Sequence, residues 1–127
     1  MDEGLGWMKN RQESGREGEE RAVGFLQKKR YEILQRNVRY KRGEIDIIAR
    51  DGDTVVFVEV KSRSSSGFGV PEEAVDRRKQ RQLCRLALLY LQKKGWLHRV
   101  DCRFDVVAVS LDTHEIHLIK NAFPSAY

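Results

Sequence analysis

The sequence predicts a mixed α/β domain whose elements run α-β-β-β-α-β-β. Three observations carry this reading. Two stretches repeat apolar residues at helical intervals, around residues 22–26 and 74–91. Between them lie two Ile/Val-rich segments joined by Asp51-Gly52-Asp53, the clearest hairpin signal in the chain. A second pair of strand-like segments surrounds Asp112-Thr113-His114 near the end.

The first helix is expected over residues 14–30. Ser14 and Glu17 have the spacing of a capping box, and Ala22, Val23, Phe25 and Leu26 form the apolar stripe. Gly18 and Gly24 lie inside it, each costing about 1 kcal/mol relative to alanine, so they either permit close packing or mark a later start. Residues 31–40 alternate loosely and read as a strand with a basic solvent side, ending in the turn Lys41-Arg42-Gly43. Residues 44–50 and 54–61 form the hairpin. After the Ser/Gly-rich stretch 62–70, Pro71-Glu72-Glu73 suits a helix start, because proline's missing N–H is harmless there and acids favour the dipole. The second helix is expected over 71–94 with Gly95 as its C-terminal cap. Strands over 102–110 and 115–120 complete the order.

At 127 residues the chain fits one domain, 1–127, with 1–13 as a flexible N-terminal extension. Its longest apolar runs, Val55 to Val58 and Leu86 to Leu91, fall far short of the ~20 residues a membrane span needs. The first residues lack the apolar stretch of a secretory signal, so a cytoplasmic location is expected. Cys84 and Cys102 are expected as separate, buried thiols, since two isolated cysteines lack zinc-site spacing. The charge balance is +5, and the excess is clustered. Seven cations against the single acid Glu32 lie between Lys28 and Arg42, and Arg77, Arg78, Lys79, Arg81 and Arg85 form a second group. Such clusters are either solvated faces or the footprint of a polyanion.

The hairpin holds the candidate chemistry. Side chains alternate along a strand, so Glu59 and Lys61 share one face and Val56, Val58 and Val60 the other. On the preceding strand Ile45, Ile47 and Ala49 form the apolar face, leaving Glu44, Asp46 and Ile48 opposite. A four-residue loop (51–54) pairs Arg50 with Val55 and sets Asp46 opposite Glu59. A two-residue loop (51–52) sets Asp46 opposite Phe57 and diagonal to Glu59. Either even register gathers Asp46, Glu59 and Lys61 on one face and the apolar residues on the other; an odd loop mixes them. Facing carboxylates at ~5 Å repel unless a cation separates them. Hard oxygen ligands with no His or Cys nearby point to Mg²⁺ or Mn²⁺. The same residues also fit a salt bridge between Asp46 and Lys61 with Glu59 solvated, but a lone acid in so apolar a strand is costly to bury.

Gly43-Glu44-Ile45-Asp46 followed by Phe57-Val58-Glu59-Val60-Lys61 resembles the D…ExK signature of the PD-(D/E)xK nuclease superfamily, although Ile45 stands where the superfamily name has proline. More closely, the chain resembles the YraN-like family of uncharacterised bacterial proteins, similar to archaeal Holliday-junction resolvases. The likeness spans about residues 15–123 and includes Gly15…Glu19…Ala22, Arg36-Asn37, Lys79-Gln80, Arg103-Phe104-Asp105 and Asn121-Ala122-Phe123. The resemblance implies a restriction-endonuclease-like core. It also implies a Mg²⁺- or Mn²⁺-dependent nuclease acting on DNA, with Asp46, Glu59 and Glu19 as metal ligands and Lys61 as the catalytic lysine. Arg36, Arg39, Lys41, Arg42, Arg63, Arg78 and Lys79 are then the candidate DNA contacts, and symmetric cutting of two strands would favour a homodimer. A binding module with this fold and little turnover is the alternative. Asp105, beside Arg103, is expected in an ion pair; His98, His114 and His117 have no ligand spacing; and Trp7 and Trp96 are expected to pack rather than stack on bases.

Overall fold

The computed structural model describes residues 11–63 and 75–125, with side chains from Gly15 onward. The elements are α1 (Arg11–Lys28), β1 (Glu32–Tyr40), β2 (Gly43–Asp51), β3 (Thr54–Arg63), α2 (Arg77–Lys94), β4 (Asp101–Ser110) and β5 (Ile116–Phe123), in the order expected. The strands form one five-stranded mixed sheet, ordered β1-β2-β3-β4-β5. All neighbours are antiparallel except β3 and β4, which run parallel and are joined through α2. Parallel neighbours need a long crossover, and the helix supplies it.

The two helices cover opposite faces of the sheet. Ala22 and Leu26 of α1 pack with Ile47, Ala49, Val56, Val58, Val107 and Val109. Leu83, Leu86, Ala87, Tyr90 and Leu91 of α2 pack with Ile48, Val55, Phe57, Phe104 and Val106. Because β3 is central and covered on both sides, Val55 to Val58 are all buried, which explains why this strand is a continuous apolar run rather than an alternating one. Phe57 anchors the α2 side, with its ring edge-on to Tyr90 at 5.9 Å and tilted against Phe104 at 5.5 Å.

Several boundaries differ from expectation. Helix α1 begins at Arg11, so Ser14 lies inside it and does not cap it, and Arg11 to Glu13 belong to the helix rather than to the expected extension. Residues 1–10, Trp7 among them, lie outside the described residues. Gly18 is the packing glycine: a Cβ there would fall 1.8 Å from Ser62 Oγ, whereas one on Gly24 would meet nothing within 4 Å. Helix α2 begins at Arg77, not Pro71, because Asp76 caps it by accepting from Lys79 N at 2.8 Å. Pro71, Glu72 and Glu73 and the Ser64–Gly67 stretch lie outside the described residues. Gly95 closes α2 as expected, with φ 74° and its N–H on Gln92 O and Leu91 O. Strand β5 runs on to Phe123, three residues past its expected end, because Phe123 stacks on Phe104 at 4.7 Å.

Candidate metal centre

The β2–β3 ladder pairs Asp51 with Thr54, Arg50 with Val55 and Ile47 with Val58. Gly52 and Asp53 form the turn, with Gly52 at φ 61°, and the register is the one that sets Asp46 toward Glu59. Beyond Ile47 and Val58 the backbone pairing stops. There Asp46 Oδ2 accepts the N–H of Val60 at 2.8 Å, so a side chain occupies the place of a strand partner.

The pleat of β2 also breaks at this point. Ile47 packs on the α1 side, but Ile45, two residues away, packs on the α2 side instead of joining it as expected. Across the ladder, Asn37 lies between the pairs Arg36↔Ile47 and Val38↔Ile45 and adopts φ 51°, a left-handed conformation that asparagine tolerates better than most residues. The break turns Ile45 toward α2 and lets Glu44 meet Glu19 of α1. As a result Glu19, Glu44 and Asp46 bring one carboxylate oxygen each within 4.8 Å of one another. Glu44 was not singled out as a ligand in the sequence; its only signal is that it lies two residues before Asp46.

Glu59 sits just behind this cluster. Its side chain is 6% exposed and its Oε2 lies 3.4 Å from Lys79 Nζ of α2. Burial raises the Asp46 carboxyl most, and the neighbouring Glu59, within hydrogen-bonding reach, raises it further, to about 8; the Val60 N–H and Lys79 pull the other way. Glu19 is also raised, first by burial and then by the Asp46 charge, against lowering by the Asn37 side chain and Arg36. Its Oε1 is buried without a hydrogen-bond partner among the described residues. Lys61, two residues beyond Glu59 on β3, is partly buried and forms no ion pair among the described residues, so the expected alternative of an Asp46–Lys61 bridge with a solvated Glu59 does not occur.

The expected cations divide into two groups. Arg36 reaches Glu20 at 2.8 Å and Glu19 at 3.7 Å, Arg39 reaches Glu44 at 3.3 Å, and Lys79 reaches Glu59. These three neutralise the acidic cluster itself. Lys41, Arg42, Arg63 and Arg78 are exposed.

Asp105 lies outside this centre. It is 1% exposed and accepts from Tyr31 Oη at 2.9 Å, Arg103 Nε at 3.0 Å and Asn121 N at 2.9 Å. Arg103 also donates to Asp51 at 2.7 Å. Arg103-Phe104-Asp105 and Asn121-Ala122-Phe123 thus meet across β4 and β5 as one structural lock, and Asp105 is the ion-paired residue expected. Burial and the Asp105 charge hold the Tyr31 hydroxyl up at about 12. Neither Cys84 nor Cys102 is in a disulfide; Cys84 is buried as expected but Cys102 is only half-buried. Trp96 packs edge-on against Tyr90 at 6.0 Å.

The profile of the uncharacterised protein family UPF0102 matches residues 18–109, from the first-helix acids through most of β4. The chain belongs to the UPF0102 family. This is the YraN-like family its motifs resemble. A UPF0102 protein of Syntrophus aciditrophicus is 52% identical over 116 residues, covering 90% of this chain and 91% of the relative. One from Geobacter sulfurreducens is 49% identical over 116 residues, covering 89% and 90%. One from Acetivibrio thermocellus is 48% identical over 131 residues, covering 97% and 100%. Among the described residues no helix is long and apolar enough to cross a membrane.

Proposed function

We propose that this UPF0102 protein is a divalent-metal-dependent phosphodiesterase acting on DNA. The observation that carries the reading is the convergence of Glu19, Glu44 and Asp46 within 4.8 Å, with the buried Glu59 behind them. Three converging carboxylates with a fourth behind them repel one another, and a cation between them relieves that repulsion more directly than Arg36, Arg39 and Lys79, which pair with them from the outside. The donor set fits Mg²⁺ or Mn²⁺: all oxygen, no His or Cys, and Glu19 Oε1 buried without a hydrogen bond among the described residues. Asp46 would hold the ion with Glu19, Glu44 and Glu59 as the remaining candidates.

When bound, such an ion supplies Lewis acidity toward a phosphoryl oxygen and lowers the pKa of coordinated water. The protein's residues do the rest. The Val60 N–H fixes the Asp46 carboxyl at the sheet gap, so the carboxyl is preorganised rather than mobile. Asn37 and Arg36 steady Glu19. Lys61, on the same face of β3 as Glu59, would orient the attacking water or offset charge developing on the phosphoryl group. Asp46 must lose its proton to bind the ion, so activity should rise with pH.

The test is cleavage of single-stranded, duplex, flap and four-way-junction DNA with Mg²⁺ or Mn²⁺. Cleavage lost in Asp46→Asn, Glu59→Gln and Lys61→Ala supports the reading. Tight DNA binding by wild type, unchanged in Glu59→Gln and without cleavage of any substrate, would replace it with a binding module.

A further inference from the structure

The second basic cluster forms a structure the metal centre does not explain. A groove of about 550 Å³ runs between α2 and the β1–β2 turn. Arg78, Arg81 and Arg85 line it from α2, Arg42 lines it from the turn, and Lys79 links it to Glu59. Asp76, the one acid among the described lining residues, is already committed to capping α2. Arg78, Arg81 and Arg85 fall at helical positions i, i+3 and i+7 and so form one stripe. Arg42 is held against that stripe because Gln82 Nε2 donates to its carbonyl oxygen. None of the four arginines has an ion-pair partner among the described residues, in contrast to Arg36, Arg39 and Lys79.

We infer that this groove binds the sugar-phosphate backbone of one strand within a duplex, feeding it toward Lys79 and the acidic centre. The inference rests on the nucleic-acid reading of that centre but not on turnover. Arg78 and Arg85 are seven residues apart, so the stripe spans about 10 Å of helix. That length corresponds to about three base-pair steps at ~3.4 Å each along a duplex axis. The guanidinium fork suits phosphate oxygens two at a time. Among the described residues the lining carries no aromatic side chain, whereas single-strand grooves hold bases by stacking on aromatic rings. A backbone-only grip therefore selects the rigid duplex, whose phosphates are already spaced, over a flexible strand that must be ordered on binding.

Fluorescence anisotropy in EDTA, where no metal-dependent cleavage occurs, tests this with a 20-base-pair duplex and one of its strands. The duplex should bind about tenfold more tightly than the strand. Arg81→Gln/Arg85→Gln should weaken duplex binding at least tenfold and reduce the slope of log affinity against log salt by about 2, since each phosphate contact contributes ~0.9. Lys28→Gln/Lys29→Gln, which removes the same charge from the end of α1, should change neither by more than half as much. Arg42→Gln probes the groove from the turn if the α2 variant fails to melt cooperatively. Equal or tighter binding of the single strand, or groove variants that behave like the α1 control, would overturn the inference. Groove-dependent duplex binding without Mn²⁺-dependent cleavage would uphold it and count against the phosphodiesterase alone.

Discussion

Asp46→Asn should leave stability unchanged at low pH and increase it at high pH. Asp46 holds its proton up to about 8 in the folded chain against an ordinary 3.8. A raised folded-state value means stability is full below the unfolded value and is lost as pH rises through the folded one, here between about 4 and 8. At pH 4 asparagine copies the protonated acid: its Oδ1 can still accept from Val60 N and its NH₂ can donate to Glu59. Above pH 8 the wild type carries a charge that the variant lacks. At 4.8 Å, the limit separating the Glu19, Glu44 and Asp46 oxygens, and an effective dielectric of about 20, two unit charges repel by about 3 kcal/mol. Partial exposure of these groups reduces this to roughly 1–3 kcal/mol. Urea denaturation in EDTA at pH 4 and pH 9 measures the difference between the two proteins, and groups common to both cancel. A gap of the same size at both pH values, or a variant less stable at pH 9, would refute the reasoning.

The remaining predictions concern packing and Lys61, the proposed catalytic lysine. Gly18→Val should destabilise by about 2 kcal/mol or more, because its Cβ lands on Ser62 and α1 must move off β3, whereas Gly24→Ala should stabilise by ~0.5–1 kcal/mol; thermal melts compare them. Arg103→Ala should cost about 3–5 kcal/mol by leaving Asp105 buried without its cation, and Arg103→Lys should recover only part of it, read by denaturant titration. Lys61→Ala should abolish cleavage while Mn²⁺ uptake and duplex affinity stay within about twofold of wild type, which separates a role at the reacting phosphate from one in assembly.

The element order and the hairpin register were legible because both follow from periodicity. Ile47, Ala49, Val56 and Val58 make one face only if the loop is even, and that parity turns Asp46 toward Glu59. What local pattern does not contain is any departure from the regular pleat. Opposite the left-handed Asn37, Ile45 lies on the α2 side and Glu44 beside Glu19, and nothing in strict alternation foretells a reversal between two isoleucines two residues apart. The start of α2 was misplaced for a related reason: Pro71 is a good N1 residue, but Asp76 is a better cap because its side chain can accept the Lys79 N–H. Partners across the sequence were equally hidden. Lys79 reads as a surface cation in a basic run, and only the crossover that lays α2 over β3 sets it beside Glu59.

Calorimetric titration of Mn²⁺ into the protein at pH 8 tests the central claim most directly. Uptake by wild type, weakened at least tenfold in Asp46→Asn and Glu44→Gln and releasing protons on binding, is the result this account predicts. No uptake by folded wild type, or uptake that Asp46→Asn leaves unchanged, would contradict it.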